Sequence, residues 1–459
     1  MGDGYDLIVL GGGTGGYSAA LRAAALGMKV ALIERDKVGG TCLHRGCIPT
    51  KALLHSAEVY DTARDAERFG IKVGDVTVDW PGVQTYKQGV VDRMFKGLDG
   101  LLKHRKVDVI AGTGTLRSPT SVAIEGRGEI TAKKLVIATG SAPKLIPGLE
   151  VGERIITSDQ ALPLDRIPAS AIVLGGGSVG VEFASVWRSF GAEVTVVEML
   201  PSLVPLEDAD LGKELERAFK KRGIRSLTGA KLEEATAGEK SVTAKITTNG
   251  KAETLEAEIL LVAVGRGPVT EGAGLEAAGI ETDRGFVTVT GSGETSVPGV
   301  YAVGDVIPTP QLAHVSFAEG MAAAEHAAGK APPPIDYDAI PRCTYCGPEV
   351  AAVGLTEAQA RERGHDVVTS KVALGAIGKA VILGEPSGFC KIVAAKDGAI
   401  LGVHFIGPRV TELVAEAMLA VGWEAMPEEV AALIHPHPTL TESFGEAALS
   451  LAGRALHSA

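Results

Sequence analysis

The chain has 459 residues, a formal net charge of −11 at pH 7 and only 4% aromatic residues. At about 150 residues per domain, this length predicts roughly three domains. The acidic balance and the few aromatics argue against a basic nucleic-acid-binding protein or a base-stacking platform. Hydrophobic residues make up 45% of the chain, too many for a disordered protein. The 59 glycines indicate many tight turns or close approaches of backbone to ligands.

The sequence also indicates the cellular compartment in which the protein is expected. Residues 1–6 are acidic and lack the basic segment, followed by an apolar one, that marks a secretory signal. No apolar run of about 18 residues is free of charge and glycine, so no membrane span is expected. Five cysteines in a chain of this length do not make a disulfide scaffold. We therefore predict a cytoplasmic protein, in which a disulfide would be catalytic rather than structural.

The first predicted unit is an apolar strand, a glycine-rich turn, an alanine-rich helix and a second strand that ends at Glu34. The turn, Gly11–Gly16, has the spacing G-x-G-x-x-G. The same pattern recurs 164 residues later at Gly175–Gly180 and again ends in a glutamate, Glu198. Two such βαβ units predict two dinucleotide-binding sites.

The glycines and the glutamates have separate predicted roles. In each turn the three glycines permit, in order, the tight bend, the approach of a pyrophosphate and close packing of helix on strand. They are Gly11, Gly13 and Gly16 in the first copy, and Gly175, Gly177 and Gly180 in the second. Glu34 and Glu198 would accept hydrogen bonds from ribose hydroxyls. Residues 199–204 include no Arg or Lys to pair with a 2′-phosphate, so NAD is favoured over NADP at the second site.

Two cysteines, Cys42 and Cys47, follow the first unit. Helical residues five apart are about 7.5 Å apart along the axis, and a disulfide needs Cα atoms within about 7 Å. A bond would therefore require a break in the helix, which Gly46 permits. A loop this short would gain little stability from a bond. The spacing is compatible with two unpaired thiols or with a reactive disulfide, and the position beside a dinucleotide unit favours the disulfide.

Three further apolar strands end at a glycine and a polar residue. The glycines are Gly140, Gly265, followed by Arg266, and Gly304, followed by Asp305. Ligands bind at the carboxyl ends of parallel strands, so these ends are candidate ligand contacts. Ordinary strand-ending turns are the alternative. Proline-rich breaks at 141–148 and 331–334 then separate the units from a last part that we predict to be α+β.

The segment His435–Glu442 contains the second chemical site. Pro436 and Pro438 favour extended backbone at the two histidines. A titratable imidazole suits thiol–disulfide chemistry near neutral pH, and a carboxylate can orient the ring. Outside a family context, a histidine this near the C-terminus is more typical of the protein surface.

The chain resembles the flavoprotein disulfide reductases, and within them the dihydrolipoyl dehydrogenases, the E3 components of 2-oxo-acid dehydrogenase complexes. The resemblance covers essentially the whole chain. It rests on the two glycine fingerprints, on Gly39–Lys51, and on short motifs at 138–140, 264–266, 301–305, 312–314, 353–357 and 435–442.

The resemblance implies an α/β fold with two Rossmann-like domains, one for FAD and one for NAD, and a C-terminal α+β dimerisation domain. The implied segments are 1–142 for FAD, 143–268 for NAD, 269–335 for a return to the FAD region, and 336–459 for dimerisation. It also implies that dihydrolipoyl groups are oxidised and that hydride reaches NAD⁺ through FAD. The implied partners are a second copy of the chain and a lipoylated acyltransferase (E2) or a glycine-cleavage carrier protein.

The resemblance also assigns roles to residues. Cys42 and Cys47 form the redox-active disulfide, with Cys42 facing the substrate and Cys47 facing the flavin. His437 is the acid–base residue, oriented by Glu442, and it faces Cys42 of the other subunit, whereas His435 has no such role. Further cofactor contacts are implied at Lys51 with Glu182, Gly114, Gly140, Asp305, Ala313, Gly265 and Arg266. We assign no metal ligand.

Some features depart from the family pattern. His44-Arg45 stands where many relatives have Asn-Val, and the pair either favours a thiolate or is simply solvated. Cys343 and Cys346 form a Cys-x-x-Cys sequence in the implied interface domain, and we expect them to be unreactive. Cys390 is expected to be structural.

Three alternatives to the implied function fit the sequence less well. Glutathione reductases usually carry cations for NADP where this chain has Glu198 and apolar residues. Mercuric reductases usually add a C-terminal cysteine pair, and no cysteine follows Cys390. A noncatalytic protein that keeps the fold is disfavoured by the intact Cys42, Cys47, His437 and Glu442.

Overall fold

A computed structural model describes residues 4–457, so residues 1–3 of the acidic start, and residues 458–459, lie outside it. The chain divides into two compact units. Unit 1 contains the chain up to Ala52, Pro81–Lys144 and Gly265–Tyr337. Unit 2 contains Leu53–Trp80, Leu145–Val264 and the chain from Asp338 onward.

The first part of the chain, up to residue 144, begins with the predicted βαβ unit. Its first strand forms because a run of apolar side chains, of which Leu7, Ile8 and Val9 are fully buried, is covered on both faces. The elements are β1 (Tyr5–Leu10), α1 (Thr14–Ala25), β2 (Val30–Glu34), α2 (Gly40–Arg45), α3 (Cys47–Arg64), a 3₁₀ turn (Ala66–Phe69), α4 (Trp80–His104), β3 (Asp108–Ala111), β4 (Gly114–Ser118), β5 (Ser121–Ile124), β6 (Gly128–Ile137) and β7 (Ser141–Pro143).

The third part of the chain, residues 265–337, returns to the same unit. Its elements are β16 (Arg266–Pro268), a 3₁₀ turn (Glu276–Ala278), β17 (Thr282–Asp283), β18 (Phe286–Val287), β19 (Val300–Ala302), a 3₁₀ turn (Gly304–Val306) and α8 (Ala313–Ala327). The main sheet of unit 1 has the order β3-β2-β1-β6-β5-β4, and β19 pairs with β6. The pairs of β1 with β2 and β6, of β2 with β3, and of β6 with β19 are parallel.

The second part, residues 145–264, contains the repeat. Its elements are β8 (Ile155–Ile156), α5 (Ser158–Ala161), β9 (Ser170–Leu174), α6 (Ser178–Ser189), β10 (Glu193–Val197), α7 (Ala209–Arg222), β11 (Ile224–Leu227), β12 (Ala230–Ala237), β13 (Val242–Thr248), β14 (Lys251–Ala257) and β15 (Ile259–Val262). A parallel sheet has the order β11-β10-β9-β15-β8, and β12, β13 and β14 form a separate antiparallel sheet.

The last part of the chain is the predicted α+β domain. Its elements are β20 (Arg342–Thr344), β21 (Glu349–Gly354), α9 (Glu357–Glu362), β22 (Val367–Ala373), a 3₁₀ turn (Leu374–Ala376), α10 (Gly378–Leu383), β23 (Phe389–Ala395), β24 (Ile400–Gly407), α11 (Val410–Gly422), α12 (Pro427–Ala431) and α13 (Glu442–Leu451). An antiparallel sheet of order β20-β21-β24-β23-β22 packs through residues such as Ile392, Val403 and Phe405 against α11 and α13.

The predicted fold class is confirmed: the structure is α/β, with a βαβ unit in a mixed sheet, a second βαβ unit in a parallel sheet, and a C-terminal domain with an antiparallel sheet. Unit 1 does not coincide with the predicted FAD segments, since Leu53–Trp80 of the predicted segment 1–142 lies in unit 2. Pro143 and Arg266–Pro268, which the prediction placed in the NAD segment, lie in unit 1 because β7 and β16 pair with each other.

No described helix combines the length and the apolar character needed to cross a bilayer. In residues 4–457, no cluster of three His, Cys, Asp or Glu side chains could hold a metal ion.

A buried ion cluster in unit 2 surrounds Lys391, whose side chain is only 5% exposed. Its ammonium lies 2.9 Å from Asp208, 3.1 Å from Asp210 and 2.9 Å from Glu357. Asp208 also caps the N-terminus of α7 and accepts a hydrogen bond from the backbone N–H of Glu357. The cluster therefore fixes the start of α7 against β23 and α9.

Replacing Lys391 with methionine is expected to lower the free energy of unfolding by about 3–5 kcal/mol, because it leaves buried carboxylates without their cation. The matched control is Lys371→Met. That ammonium is 3.4 Å from Asp210, but its side chain is 51% exposed, so its loss should cost at most about 1 kcal/mol. Denaturant titration of both variants tests this, and equal losses would contradict it.

His404 is a buried histidine in β24. Its Nε2 lies 3.0 Å from the carbonyl oxygen of Leu355, and within the described residues its Nδ1 has no hydrogen-bond partner. Burial lowers the pKa of His404 to about 4, although Asp208 opposes the shift. Since the unfolded ring has a pKa near 6.5, the unfolded state binds the additional proton when the pH falls below that value.

We therefore expect His404 to destabilise the fold progressively between pH 6.5 and pH 4. Its contribution between pH 7 and pH 4.5 should be about 2–3 kcal/mol. His404→Gln keeps an amide donor for Leu355 but does not titrate. The unfolding free energy of this variant should fall less between the two pH values, and parallel pH profiles would contradict the assignment.

Candidate active site

The first fingerprint turn has the backbone that a dinucleotide site requires. Gly11 has a φ of +103°, and a Cβ there would lie 2.2 Å from the carbonyl oxygen of Ala138. A Cβ at Gly16 would lie 1.8 Å from the carbonyl oxygen of Gly11. A Cβ at Gly13 would meet nothing within 4 Å. The first and third glycines are thus required by packing, and the middle one borders open space at the N-terminus of α1.

The second fingerprint turn repeats this geometry closely. Gly175 has a φ of +104°, and a Cβ there would lie 2.3 Å from the carbonyl oxygen of Ala263. A Cβ at Gly180 would lie 1.9 Å from the carbonyl oxygen of Gly175, whereas Gly177 again has nothing within 4 Å. The internal repeat therefore extends from sequence to atomic packing.

The two strand-ending glutamates bind their own turns in the same manner. Glu34 accepts a hydrogen bond from the N–H of Gly12 at 2.6 Å, and Glu198 accepts one from Gly176 at 2.5 Å. The second oxygen of each accepts from the backbone N–H two residues later, at 2.8 Å and 2.7 Å. Each carboxylate oxygen can accept more than one hydrogen bond. Both side chains can thus still accept bonds from ribose hydroxyls.

Cys42 and Cys47 lie on either side of a break between two helices. Cys42 is in α2 and Cys47 begins α3, while Gly46 between them has non-helical angles of φ −147° and ψ −111°. The structure holds the cysteines as thiols, and their side chains share a hydrogen bond. This hydrogen bond and burial raise the pKa of Cys42, and the charge of Lys51 opposes the rise. The two sulfurs are therefore close enough for the pair to change between a dithiol and a disulfide.

Tyr17, which is absent from the predicted set, is a neighbour of this pair. It directly follows the first fingerprint, and its ring centroid lies 5.6 Å from that of Phe317 in α8. Burial and the nearby Cys42 and Cys47 raise the pKa of Tyr17 to about 12. Its position immediately after Gly16 was the sequence signal that could have identified it.

Arg266 and Asp305 meet in unit 1 through Ser141. The guanidinium of Arg266 donates to the hydroxyl of Ser141 at 2.7 Å and to its carbonyl oxygen at 2.8 Å, and it lies 3.9 Å from Asp305. The Ser141 hydroxyl in turn donates to Asp305. Two strand ends that are distant in sequence thus form one polar cluster, and Ser141 was missing from the predicted set.

The other predicted cofactor contacts have varied surroundings. Gly140 and Gly265 both have positive φ and open space at the Cβ position. Gly114 opens β4 against Leu10, and Ala313 is the first residue of α8. Glu182 in α6 is buried and accepts a hydrogen bond from the backbone N–H of Tyr345 at 2.9 Å.

His437 and Glu442 form a hydrogen-bonded pair in unit 2. Nδ1 of His437 lies 2.8 Å from Glu442, and the imidazole is 76% exposed. Glu442 begins α13, and its other oxygen accepts from the N–H of Thr439 at 2.8 Å. Burial opposes the shift, but the Thr439 hydrogen bond and His437 together lower the pKa of Glu442. An ionised carboxylate thus orients the ring and leaves Nε2 to the surface.

The neighbouring His435 has a different environment. Its Nε2 lies 2.9 Å from Glu416, and its side chain is only 10% exposed. Glu416 also accepts a hydrogen bond from Thr441, which precedes Glu442. His435 and Glu416 therefore anchor the loop that carries His437.

The remaining three cysteines lie in unit 2. Cys346 and Cys390 are buried, and burial raises the pKa of both thiols. The Cys346 thiol donates to the carbonyl oxygen of Pro348 at 3.1 Å. Cys343 is half-buried in β20, and its sulfur lies 4.0 Å from the carbonyl oxygen of Thr411.

Comparison with known proteins identifies the family. Residues 5–320 match the model of the pyridine nucleotide-disulphide oxidoreductases, and residues 340–448 match the dimerisation domain of the same family. The chain belongs to the pyridine nucleotide-disulphide oxidoreductase family. Its relatives include the dihydrolipoyl dehydrogenase of Bacillus subtilis, which is 47% identical over 99% of both chains. That of Chlorobaculum tepidum is 43% identical over 97% of this chain and 96% of its own.

Solved structures agree with this family. LpdA from Mycobacterium tuberculosis superposes with a TM-score of 0.90 at 30% identity, covering 97% of this chain and 99% of its own. The HOCl-induced flavoprotein disulfide reductase RclA from Escherichia coli, as its Cu(II) complex, gives 0.87 at 26% identity, with the same coverage. The predicted resemblance to the dihydrolipoyl dehydrogenases is confirmed.

FAD and NAD are the cofactors of this family, and the residues present fit both. Each fingerprint places an open glycine, Gly13 or Gly177, at a helix N-terminus. Such a terminus stabilises the charge of a pyrophosphate. Glu34 and Glu198 keep acceptor capacity for ribose hydroxyls.

Proposed function

We propose that this chain is a dihydrolipoyl dehydrogenase, which oxidises protein-bound dihydrolipoyl groups to lipoyl groups and reduces NAD⁺. The observation that carries the proposal is the hydrogen-bonded pair of Cys42 and Cys47 beside the first dinucleotide turn. The relatives named dihydrolipoyl dehydrogenase, similar over nearly the whole chain, support the same substrate class.

The thiol chemistry proceeds by two exchanges at the oxidised Cys42–Cys47 pair. The imidazole of His437 takes the proton from one substrate thiol, and the thiolate attacks the sulfur of Cys42. A mixed disulfide forms and the bond to Cys47 breaks, so Cys47 leaves as a thiolate. The second substrate thiol then displaces Cys42. The substrate becomes a disulfide, and the enzyme pair becomes a dithiol that holds two more electrons.

The environments of the two cysteines support these roles. The Lys51 cation acts on Cys42 and lowers the cost of a thiolate there. The ionised Glu442 stabilises the imidazolium that forms when His437 takes the proton. When bound, FAD supplies the transfer of the electron pair from the dithiol to NAD⁺.

Each cofactor has its own set of proposed contacts. FAD would be held by the first turn with Glu34, Lys51, Gly114, Gly140, Asp305 and Ala313. NAD would be held by the second turn with Glu198, Gly265 and Arg266, while the resemblance assigns Glu182 to the flavin side together with Lys51. The segments 1–142 and 269–335 would then serve FAD, and 143–268 would serve NAD.

The chain would act as a homodimer in the cytoplasm. The match of residues 340–448 to a dimerisation domain supports the dimer, in which His437 of one subunit serves Cys42 of the other. The lipoyl group would arrive on a lipoylated acyltransferase (E2) of a 2-oxo-acid dehydrogenase complex, or on a glycine-cleavage carrier protein. A reducing compartment suits an enzyme whose disulfide must cycle.

One comparison of substrates tests the proposal. The purified holoenzyme is assayed with dihydrolipoamide and NAD⁺, and separately with glutathione disulfide and NADPH. We expect turnover with the first pair, with NAD⁺ strongly preferred to NADP⁺ because Glu198 repels a 2′-phosphate. Preference for the second pair would overturn the proposal.

A further inference from the structure

The two residues that depart from the family pattern, His44 and Arg45, both reach one short loop. That loop, residues 34–38, begins at the last residue of β2 and contains the carboxylate of the first fingerprint, Glu34; we call it the acid loop. The segment Gly39–Cys47 we call the redox segment. We propose that His44 is a positioning residue that couples FAD binding at the acid loop to the redox state of Cys42 and Cys47. The inference rests on the proposed function, because it assigns FAD to the first fingerprint.

The His44 ring is held on two sides. Its Nε2 lies 2.9 Å from the carbonyl oxygen of Val38. A carbonyl can only accept, so Nε2 carries the hydrogen in this contact. The ring also meets Phe95 of α4 edge-on, with centroids 5.4 Å apart and planes at 65°. The redox segment is thereby fixed to the last residue of the acid loop.

Arg45 makes a second and weaker connection to the same loop. Its guanidinium lies 3.0 Å from Asp36, but the two side chains are 44% and 49% exposed. An ion pair this exposed contributes little. The backbone N–H of Asp36 donates to Glu34 at 2.8 Å. Both connections therefore end on the loop whose carboxylate would bind the FAD ribose.

The first fingerprint turn contacts both the acid loop and the redox segment. Gly12 donates its N–H to Glu34 at 2.6 Å and accepts a hydrogen bond from the N–H of Gly39 at 2.7 Å. Gly40 packs so tightly that a Cβ there would lie 2.6 Å from the Cα of Gly13. The pyrophosphate turn, the acid loop and the redox segment thus share one closed set of contacts. A shift in any of the three must be accommodated by the other two.

The role of His44 is geometric rather than electrostatic. The cation that acts on Cys42 is Lys51, whereas His44 and Arg45 are directed to Val38 and Asp36. Formation of the Cys42–Cys47 bond must change the path of the redox segment, since the sulfurs move from hydrogen-bond contact to bond length. His44 transmits that change to the acid loop. Coupling of this kind is reciprocal, so FAD must also shift the potential of the cysteine pair.

The test measures FAD affinity in both redox states. The apoprotein is prepared with the Cys42–Cys47 pair oxidised and with it reduced, and the FAD dissociation constant of each form is measured by flavin fluorescence. For the unsubstituted chain we expect the two constants to differ by about fivefold, of the order expected from one hydrogen bond. By linkage, FAD should shift the midpoint potential of the pair by about 20 mV for two electrons.

Matched variants then isolate the hydrogen bond. His44→Phe keeps an aromatic ring against Phe95 but removes the Nε2–H donor, and its FAD dissociation constants in the oxidised and reduced forms should become equal. His44→Gln places an amide N–H at the same number of bonds from the backbone, and it should restore the difference between the two constants. Arg45→Lys is the control and should resemble the unsubstituted chain. A general loss of packing would instead weaken FAD binding equally in both states.

Two outcomes would overturn the inference. One is that the FAD dissociation constants of the oxidised and reduced forms differ as much in His44→Phe as in the unsubstituted chain. The other is that the two constants are equal in the unsubstituted chain. If His44→Phe does not fold, a His44→Gln variant with equal constants would count against the inference in the same manner. Failure of FAD to bind any form would refute the proposed function instead, so the two failures are distinguishable.

Discussion

Replacing Cys42 or Cys47 with serine should abolish dihydrolipoamide oxidation while FAD stays bound. The exchange needs two sulfurs: one to form the mixed disulfide and one to leave as a thiolate. A serine at either position removes the disulfide, and neither an alkoxide nor a hydroxyl can replace it near neutral pH. We expect NADH formation to fall to background in both variants, with the flavin absorbance of the purified protein retained.

A third cysteine supplies the matched control. Cys343 is half-buried, as Cys42 and Cys47 are, but it lies in β20, in unit 2. Cys343→Ser should therefore turn over at the unsubstituted rate. Normal turnover in Cys42→Ser or Cys47→Ser would refute the disulfide mechanism. Loss of flavin in either variant would indicate a folding defect, which the flavin absorbance detects separately.

The second large effect is expected at His437. Its Nδ1 is held by Glu442, so the exposed Nε2 is the nitrogen that can take a proton from the substrate thiol. Replacing it with glutamine removes the base and should slow reduction of the enzyme by dihydrolipoamide about 10²- to 10⁴-fold. Rapid mixing that isolates this half-reaction is the appropriate measurement. The reverse reduction of the flavin by NADH should be largely unaffected.

Exposed histidines elsewhere provide the control for this variant. His365 lies outside the loop of His437, in the turn after α9, and is exposed. His365→Gln should leave the half-reaction unchanged. Glu442→Gln should cause a smaller loss than His437→Gln, because the amide can still orient the ring but cannot stabilise its positive charge. An unchanged rate in His437→Gln would remove it from the acid–base role.

The local features of this protein were predictable because short-range patterns determine them. The fingerprint glycines require left-handed backbone or close packing within a few residues, and the structure shows both at Gly11 and Gly16. A Cys42–Cys47 disulfide would need a break in the helix because of its short reach, and the structure has that break at Gly46. The α+β character of the C-terminal domain followed from short strands mixed with amphipathic helices after a proline-rich break.

Contacts between distant segments were not predictable in this manner. The polar cluster of Arg266, Ser141 and Asp305 depends on the pairing of β7 with β16 and on the return of the chain through β19. The Lys391 cluster joins residues more than 140 positions apart, and its charges are individually ordinary in the sequence. A single sequence does not reveal which charge meets which, because that depends on how the completed sheets and helices pack.

The sequence by itself therefore determined the two dinucleotide turns, the Cys42–Cys47 spacing and the His437–Glu442 motif, because each is defined by residues close together along the chain. Only the tertiary structure decided how their surroundings are arranged. It placed His44 against the acid loop, brought the Lys51 charge to Cys42, and buried His404 away from water. Burial and long-range contact set the charge state and the position of a side chain, and both come into existence only when the chain has folded.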